Sequence, residues 1–303
     1  MMKLFVHLSL LSLFGLLSAC GEGRVMVTNE SYEPRIVIEG YLFPGQRVRE
    51  IRISRNFRLD VDLSSSLIIE NTRAKITDES DGREYVLTAR PETFFNGVRF
   101  DYEGDDWLVE YGRTYTIDVG ATVDGRDLQA RATTTVPRQG FKIDSVNHER
   151  LTYRQRDERD ELINFELAIE RSPQTTFYVR TVRPLSSDLD LFIYDNPFGD
   201  WDREDVEEDL DDFDYSWNWL QNTPKMPGIS KIEIFWFDLW FYGSYEVIVY
   251  AADKNFIDFL RTYDDSQAED GNFNEPAFNI EGDGIGVFGS AIADTVRIVV
   301  LRE

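Results

Sequence analysis

The sequence predicts a mainly β protein, with an N-terminal immunoglobulin-like β-sandwich followed by a second β-rich domain that carries one or two short helices. Apolar residues alternate with polar ones in RIVIEGY, REIRISR and TRAKITD, as in half-buried strands. Asp81-Gly82 and Asp124-Gly125 separate strand-like runs, where such dipeptides favour hairpin turns. With 42% hydrophobic and 14% aromatic residues, the 303-residue chain has ample material for a core.

The N-terminus is typical of a secretory signal peptide over residues 1–19. Lys3 precedes an apolar run shorter than the roughly 20 residues that span a bilayer, and the run ends in LSAC at Cys20. This ending resembles the lipobox of bacterial lipoproteins, in which the signal is removed before a cysteine whose thiol is diacylated. Cys20 is the only cysteine of the chain and has no disulfide partner within it, so we predict that it is the lipidation site.

The charge of the chain argues against nucleic-acid partners. The net charge is -24, and removal of residues 1–19 takes away one formal charge, that of Lys3, which leaves -25. Such a protein repels phosphate backbones, and no cluster of Lys and Arg with interleaved aromatics suggests a nucleic-acid face. We therefore expect contact with the membrane through the N-terminal lipid, no nucleic acid and no cofactor.

The rest of the chain divides into a tether and two predicted domains. Residues 20–33 are polar and follow the predicted anchor directly, residues 34–137 form the predicted sandwich, and residues 141–303 form the second β-rich domain. Strand-like alternation resumes in INFELAIE, TFYVRTV and YEVIVYAA. One segment, DKNFIDFLRTYDD, has helical spacing of its apolar residues, with Asp253 placed as the N-cap.

Three glycines near the C-terminus, Gly284, Gly286 and Gly289, match the G-x-G-x-x-G spacing of a dinucleotide-binding turn. That turn needs a helix N-terminus after the glycines to hold a pyrophosphate, whereas TVRIVVLR reads as a closing strand. We therefore expect no nucleotide site, and glycines that serve a tight turn, a bulge or a close approach of two backbones.

Several motifs together resemble a family of Bacteroidota lipoproteins, domain of unknown function 4249. They are the lipobox, PRIVIEGYL, ISRNF, AKITDESDGREYVL, YGRTYTIDV, TTTVPRQGFKIDSV, FIDFLRTY, GNFNEPAFNIEG and GIGVFG. The resemblance implies an outer-membrane lipoprotein, on either the periplasmic or the surface face, whose partner is a TonB-dependent receptor in nutrient uptake. The family supplies no catalytic residues.

The most unusual segment is DWDREDVEEDLDDFDYSWNWLQ. An EF-hand register from Asp200 fails, because Asp205 stands where glycine is required and Asp211 where glutamate is expected. The spacing of Val206, Leu210, Phe213 and Trp217 instead predicts a short amphipathic helix with an acidic solvated face, and a calcium site of another kind stays an alternative.

Five tryptophans fall in the second predicted domain. Trp236, inside KIEIFWF, is expected in the core, whereas Trp217 and Trp219 lie in a polar segment that suggests a loop. Exposed aromatic side chains of this kind fill pockets of a partner or stack on a sugar, so these two are our candidate contacts for a ligand or partner.

The side chains of catalysis are sparse. A Ser-His-Asp triad would need His148, the single histidine after signal removal, which lies in the charged segment SVNHERL. We therefore predict a non-catalytic envelope accessory that binds a ligand or receptor in uptake, with no metal site. The alternatives are a carboxylate-dependent glycan hydrolase, which acidic residues alone could support, and a calcium-stabilised adhesion or structural module.

Overall fold

The computed structural model describes residues 32–57, 69–91, 98–267 and 276–302. Cys20, the predicted signal peptide and nearly all of the predicted tether lie outside these ranges. Strands dominate, and the prediction of a mainly β protein with few short helices is confirmed. None of the helices in the described ranges combines the length and the apolar character needed to cross a bilayer.

Seven strands form the first sandwich in an immunoglobulin-like order. One layer has the order β1-β2-β5-β4 and the other β3-β6-β7, and β4 also pairs with β3. These are the two sheets of a constant-type immunoglobulin domain, ABED and CFG. The strands are β1 (Ile36–Leu42), β2 (Ile51–Arg55), β3 (Glu70–Asp78), β4 (Glu84–Pro91), β5 (Val98–Asp101), β6 (Thr114–Val123) and β7 (Arg126–Thr135).

Local chemistry fixes two corners of this sandwich. Asp124 and Gly125 both have positive φ and join β6 to β7, which confirms the predicted two-residue hairpin. Tyr115, near the start of β6, is buried and its hydroxyl accepts a hydrogen bond from the Glu110 N–H at 3.0 Å. A tyrosine at this place in strand F that bonds back to the preceding backbone is the tyrosine corner of immunoglobulin-like domains.

The second region has a similar strand order, except that its additional strand, β12, joins the other layer by pairing with β11. One layer has the order β8-β10-β13, and the other is β12-β11-β14-β16 with β9 added beside β16. Tyr245, at the start of β14, repeats the tyrosine corner, with its hydroxyl bonded to the backbone of Phe241. The strands are β8 (Lys142–Val146), β9 (Arg150–Thr152), β10 (Phe165–Glu170), β11 (Phe177–Pro184), β12 (Ser216–Gln221), β13 (Ile229–Ile234), β14 (Gly243–Ala252) and β16 (Gly284–Leu301). The short strand β15 (Glu281–Gly282) instead pairs with β7 of the first sandwich.

Strand β16 takes part in both cores. Its first half pairs in parallel with β1 and its second half pairs antiparallel with β14. Phe288 packs into the first core, whereas Ile292, Ile298 and Val300 pack into the second. The predicted closing strand is thus confirmed, while the domain boundary between residues 137 and 141 stays a prediction.

The three spaced glycines lie inside β16 and not in a turn, which corrects the expectation of a tight turn. Gly286 has φ +111°, and a Cβ there would lie far inside van der Waals contact with the carbonyl oxygen of Ile38 on β1. A Cβ on Gly289 would crowd Phe256 at 3.1 Å. The expectation of close backbone approach is confirmed, since glycine is what lets β1 and the helix that carries Phe256 pack against β16.

Within the described ranges, three α-helices interrupt the strands: α1 (Arg203–Glu208), α2 (Leu210–Phe213) and α3 (Lys254–Gln267). Asp253 caps α3 as predicted, since its carboxylate accepts a hydrogen bond from the Phe256 N–H at 2.9 Å. Val206 and Phe213 are buried, but the predicted helical stripe does not reach Trp217, which lies in β12. The helix ends at Phe213, and the chain then pairs with the edge of β11.

Candidate binding surface around Trp217 and Trp219

Trp217 and Trp219 lie on β12, the edge strand of the second sandwich. β12 pairs antiparallel with β11, with Trp217 opposite Thr181 and Trp219 opposite Val179. Among the described strands, none pairs with the other side of β12. Because side chains two residues apart share a face of a strand, both tryptophans lie on the same face, which α3 also contacts.

Trp219 is the more exposed of the two, with 40% of its surface accessible. Its ring meets Phe177 edge-on at 5.3 Å between centroids. The guanidinium of Arg261, on α3, lies 4.7 Å from the ring centroid of Trp219 and 5.1 Å from that of Phe177. A cation over an aromatic ring is attracted by the ring's quadrupole, so this arrangement holds Trp219 in one orientation.

Trp217 is half-buried and packs against a small apolar cluster beneath α3, formed by Val179, Ala252, Phe256, Ile257 and Ala291. The expectation that both residues lie in a loop is therefore wrong, because both lie in a strand. Of the two side chains, only that of Trp219 is exposed. We define the β12 aromatic surface as Phe177, Trp217, Trp219 and Arg261. Sequence reasoning missed Phe177 and Arg261, because each is distant in the chain and looks like an ordinary strand or helix residue.

The β12 aromatic surface combines two means of binding. An edge strand presents unpaired backbone N–H and C=O groups to which an extended chain can add as a further strand. Trp219 adjoins that edge with a large aromatic side chain held in place, the type of residue that dominates binding energy at interfaces. Tyr215, just before β12, is 48% exposed and extends the aromatic area.

The acidic segment before β12 folds as two short helices. Asp202 caps α1, accepting hydrogen bonds from the N–H groups of Glu204 and Asp205 at 2.8 and 3.0 Å. Within the described ranges, no group of three His, Cys, Asp or Glu side chains is arranged to hold a metal ion. Asp202 and Asp205 form the capping box of α1, and most of the other carboxylates of the segment are exposed to solvent.

The remaining residues singled out from the sequence are scattered. Trp236 is 3% exposed, which confirms its expected place in the core. Trp201 and Trp240 are partly buried against the same core. His148 is exposed in the turn between β8 and β9.

A buried carboxyl lies beneath the start of α3. The Asp253 carboxylate accepts a hydrogen bond from the Thr134 hydroxyl at 2.6 Å, and Thr134 and Ser290 hydroxyls are 2.8 Å apart. Burial raises the pKa of Asp253 to about 6. Asp253 also lines a cleft of about 450 Å³ that extends to Phe177. The helix cap was visible in the sequence, but its partners on β7 and β16 carried no local signal.

Comparison with known protein families gives a match over most of the chain. The profile of a domain of unknown function (DUF4249) matches residues 25–297. No protein of curated function matches the chain.

Among solved structures, a DUF4785 family protein from Legionella pneumophila is similar, with 10% identity and a TM-score of 0.25, over 71% of this chain and 52% of that one. The chain thus spans about half the length of that protein. A two-domain fibronectin type-III segment of chicken tenascin has 11% identity and a TM-score of 0.20, over 72% of this chain and 89% of that one. Because these TM-scores are low, we assign the fold from the strand order and not from these similarities.

Proposed function

The chain belongs to the family of domain of unknown function 4249, and from this premise we propose that it is a lipid-anchored, non-catalytic accessory protein of the outer membrane. In this proposal it binds a ligand or a TonB-dependent receptor during nutrient uptake. The observation that carries the binding role is the β12 aromatic surface, in which a partly exposed tryptophan is fixed beside an open sheet edge.

The energetics of Trp219 favour a contact role over a packing role. An aromatic side chain that stays 40% exposed contributes less to folding than a buried one, while its exposed area is available to a partner. Arg261 already restrains the ring, so binding costs little further side-chain entropy. Preorganised aromatic anchors of this kind are the residues that interfaces depend on most.

The anchoring half of the proposal rests on Cys20 and on the resemblance to lipoproteins. Acyl chains on Cys20 would hold the protein at the membrane without a transmembrane segment, since two or three chains give stable attachment where a single one is marginal. Such a lipid anchor is compatible with the periplasmic face of the outer membrane and with the cell surface.

In-cell photo-crosslinking tests the binding role. A photoreactive p-benzoylphenylalanine replaces Trp219 in the full chain, and a matched chain carries it at Val86, which is 70% exposed on the first sandwich. We expect a crosslink from position 219 to an outer-membrane receptor, identified by mass spectrometry, and none from position 86. Equal crosslinking from both positions, or none from 219, would contradict the proposal.

A further inference from the structure

A second concave region lies on the first sandwich, and it is lined by other residues than the β12 aromatic surface. It is a cleft of about 550 Å³ between β1, the start of β2 and Leu108, and its lining includes Tyr41, Arg47, Arg49 and Arg52. This volume is within the range of small-molecule sites. Three guanidinium groups and two carboxylates, those of Glu39 and Glu50, line the cleft, so arginines are in excess there although the net charge of the protein is -24.

The arginine-bearing loop is held firmly. Val48 is 2% exposed and its carbonyl accepts a hydrogen bond from the Tyr102 N–H at 3.0 Å. The Gly45 N–H donates a hydrogen bond to the Val109 carbonyl at 2.8 Å, and the Val109 N–H donates one to the Gln46 carbonyl at 3.0 Å. Arg47 and Arg49, on either side of Val48, are therefore presented from a fixed backbone.

The bend after Arg49 has an uncommon conformation. Glu50 has φ +61°, a left-handed conformation rare in residues other than glycine, and its N–H donates to the Asp101 carboxylate at 2.8 Å. Backbone strain of this kind concentrates at functional sites, where it aims side chains. Here the bend lies between the exposed Arg47 and Arg49 and the start of β2, where buried and exposed side chains alternate.

The charged groups of this region sum to one positive charge. The arginines are Arg47, Arg49, Arg52 and Arg99, and the carboxylates are Glu39, Glu50 and Asp101, the last of which lies 3.4 Å from Arg99. Glu39 lies 3.6 Å from Arg52, and Glu50 lies 3.8 Å from Arg99. Within the part of the chain that the structure describes, Arg47 and Arg49 form no ion pair. Because salt screens charges beyond about 8 Å, a ligand in the cleft interacts mainly with this local excess of positive charge and with the unpaired Arg47 and Arg49, and little with the distant acidic surface.

The rest of the lining suits an organic ligand. Leu108 is 48% exposed, and Phe43 adds a second apolar side chain. The Tyr41 ring packs against Phe256 at 4.6 Å, and burial raises the pKa of Tyr41, so its hydroxyl stays a hydrogen-bond donor. Guanidinium groups bind carboxylate and phosphate oxygens in a two-pronged geometry.

We propose that this cleft binds a small organic anion, with a carboxylate or phosphate head group on Arg47 and Arg49 and a short apolar body against Phe43 and Leu108. The site goes beyond the proposed partner role, because it uses none of the residues of the β12 aromatic surface. Its ligand would be held by charge-assisted hydrogen bonds and would bind less tightly as salt is added.

Calorimetric titration of the full chain with three probes tests the site: phenyl phosphate, phenylacetate and the neutral benzyl alcohol. We expect at least one anion to bind about tenfold more tightly than the alcohol, and the two anions together show which head group is preferred. Arg47→Gln/Arg49→Gln should weaken that binding at least about tenfold. The matched variant Arg126→Gln/Arg138→Gln, which changes two exposed arginines elsewhere on the first sandwich, should leave it unchanged.

Two further variants keep the test decisive. Arg47→Lys/Arg49→Lys keeps both positive charges and removes the planar guanidinium groups. It should therefore weaken anion binding less than the glutamine variant does, and it provides a second test of the site if the glutamine variant folds poorly. Trp219→Ala should not alter anion binding, which separates this site from the proposed partner role. Failure of both anions to bind better than benzyl alcohol, or equal binding by the cleft and control variants, would overturn the proposal.

Discussion

At the scale of single residues, Trp217 and Trp219 differ although they are two positions apart on one strand. Trp217 packs beneath α3, whereas Trp219 is 40% exposed. We expect Trp219→Ala to lower the free energy of unfolding by about 1 kcal/mol or less and Trp217→Ala by about 2 kcal/mol, against about 3–5 kcal/mol for the buried control Trp236→Ala. Urea unfolding measures all three. A cost for Trp219→Ala equal to that of Trp236→Ala would place Trp219 in the core.

Asp253 gives the protein a pH dependence with a defined sign. Its pKa is raised by burial from 3.8 to about 6 in the folded state, so the folded protein holds this proton more tightly than the unfolded chain. Its contribution to stability is complete below pH 3.8 and is lost as the pH rises through about 6, by up to about 3 kcal/mol. Comparison of chemical unfolding at pH 4.5 and 7.5 (about one and a half units to either side of that pKa) should show a smaller pH effect for Asp253→Asn than for the wild type. Identical pH effects in both proteins would mean that Asp253 titrates normally.

At the scale of secondary-structure elements, the contact between β1 and β16 depends on glycine. Gly286 combines positive φ with a backbone oxygen of Ile38 where a Cβ would stand, so Gly286→Ala should destabilise the protein by more than about 2 kcal/mol. Gly120, on β6, is the matched control, since it has no positive φ and its nearest atom lies at 4.0 Å. Gly120→Ala should change thermal stability little, and an equal effect of both substitutions would contradict this account of β16.

The elements also show how far sequence patterns reach. The Asp124-Gly125 hairpin and the capped helix α3 depend on residues close in the chain, so local patterns predicted them. Trp217 was assigned to a helical stripe because its spacing fits, but the open edge of β11 takes the chain into a strand. The stacking of Arg261 on Trp219 joins residues 42 positions apart, so no local sequence pattern predicts it.

At the scale of the whole molecule, local sequence patterns do not predict that the two regions have similar strand orders. The two regions share a tyrosine corner, at Tyr115 and Tyr245, but no sequence repeat indicates this similarity. Strand existence follows from local alternation, whereas pairing order is decided by packing between distant segments. For the same reason, the sequence does not predict the cleft beside Leu108: REIRISR has the pattern of a strand, and only the fold brings Arg47 together with Arg49 and Arg52.

The anchoring of the whole molecule makes a separate prediction about Cys20. Cells grown with radioactive palmitate should label the wild-type protein and leave Cys20→Ser unlabelled, because no other cysteine is available. The Cys20→Ser protein should also stay uncleaved or be mis-sorted. An unlabelled wild-type protein that partitions into the aqueous phase would contradict both the lipid anchor and the outer-membrane location.

The central claim is that the protein acts by binding through the β12 aromatic surface, and affinity for the receptor captured at position 219 tests it most directly. The full chain is compared with Trp219→Ala and with Arg126→Gln, an exposed control on the first sandwich, by calorimetry or surface plasmon resonance. The account predicts that Trp219→Ala weakens binding at least about tenfold, equivalent to about 1.4 kcal/mol, while Arg126→Gln retains it. Unchanged affinity of Trp219→Ala, with its fold intact, would contradict the account.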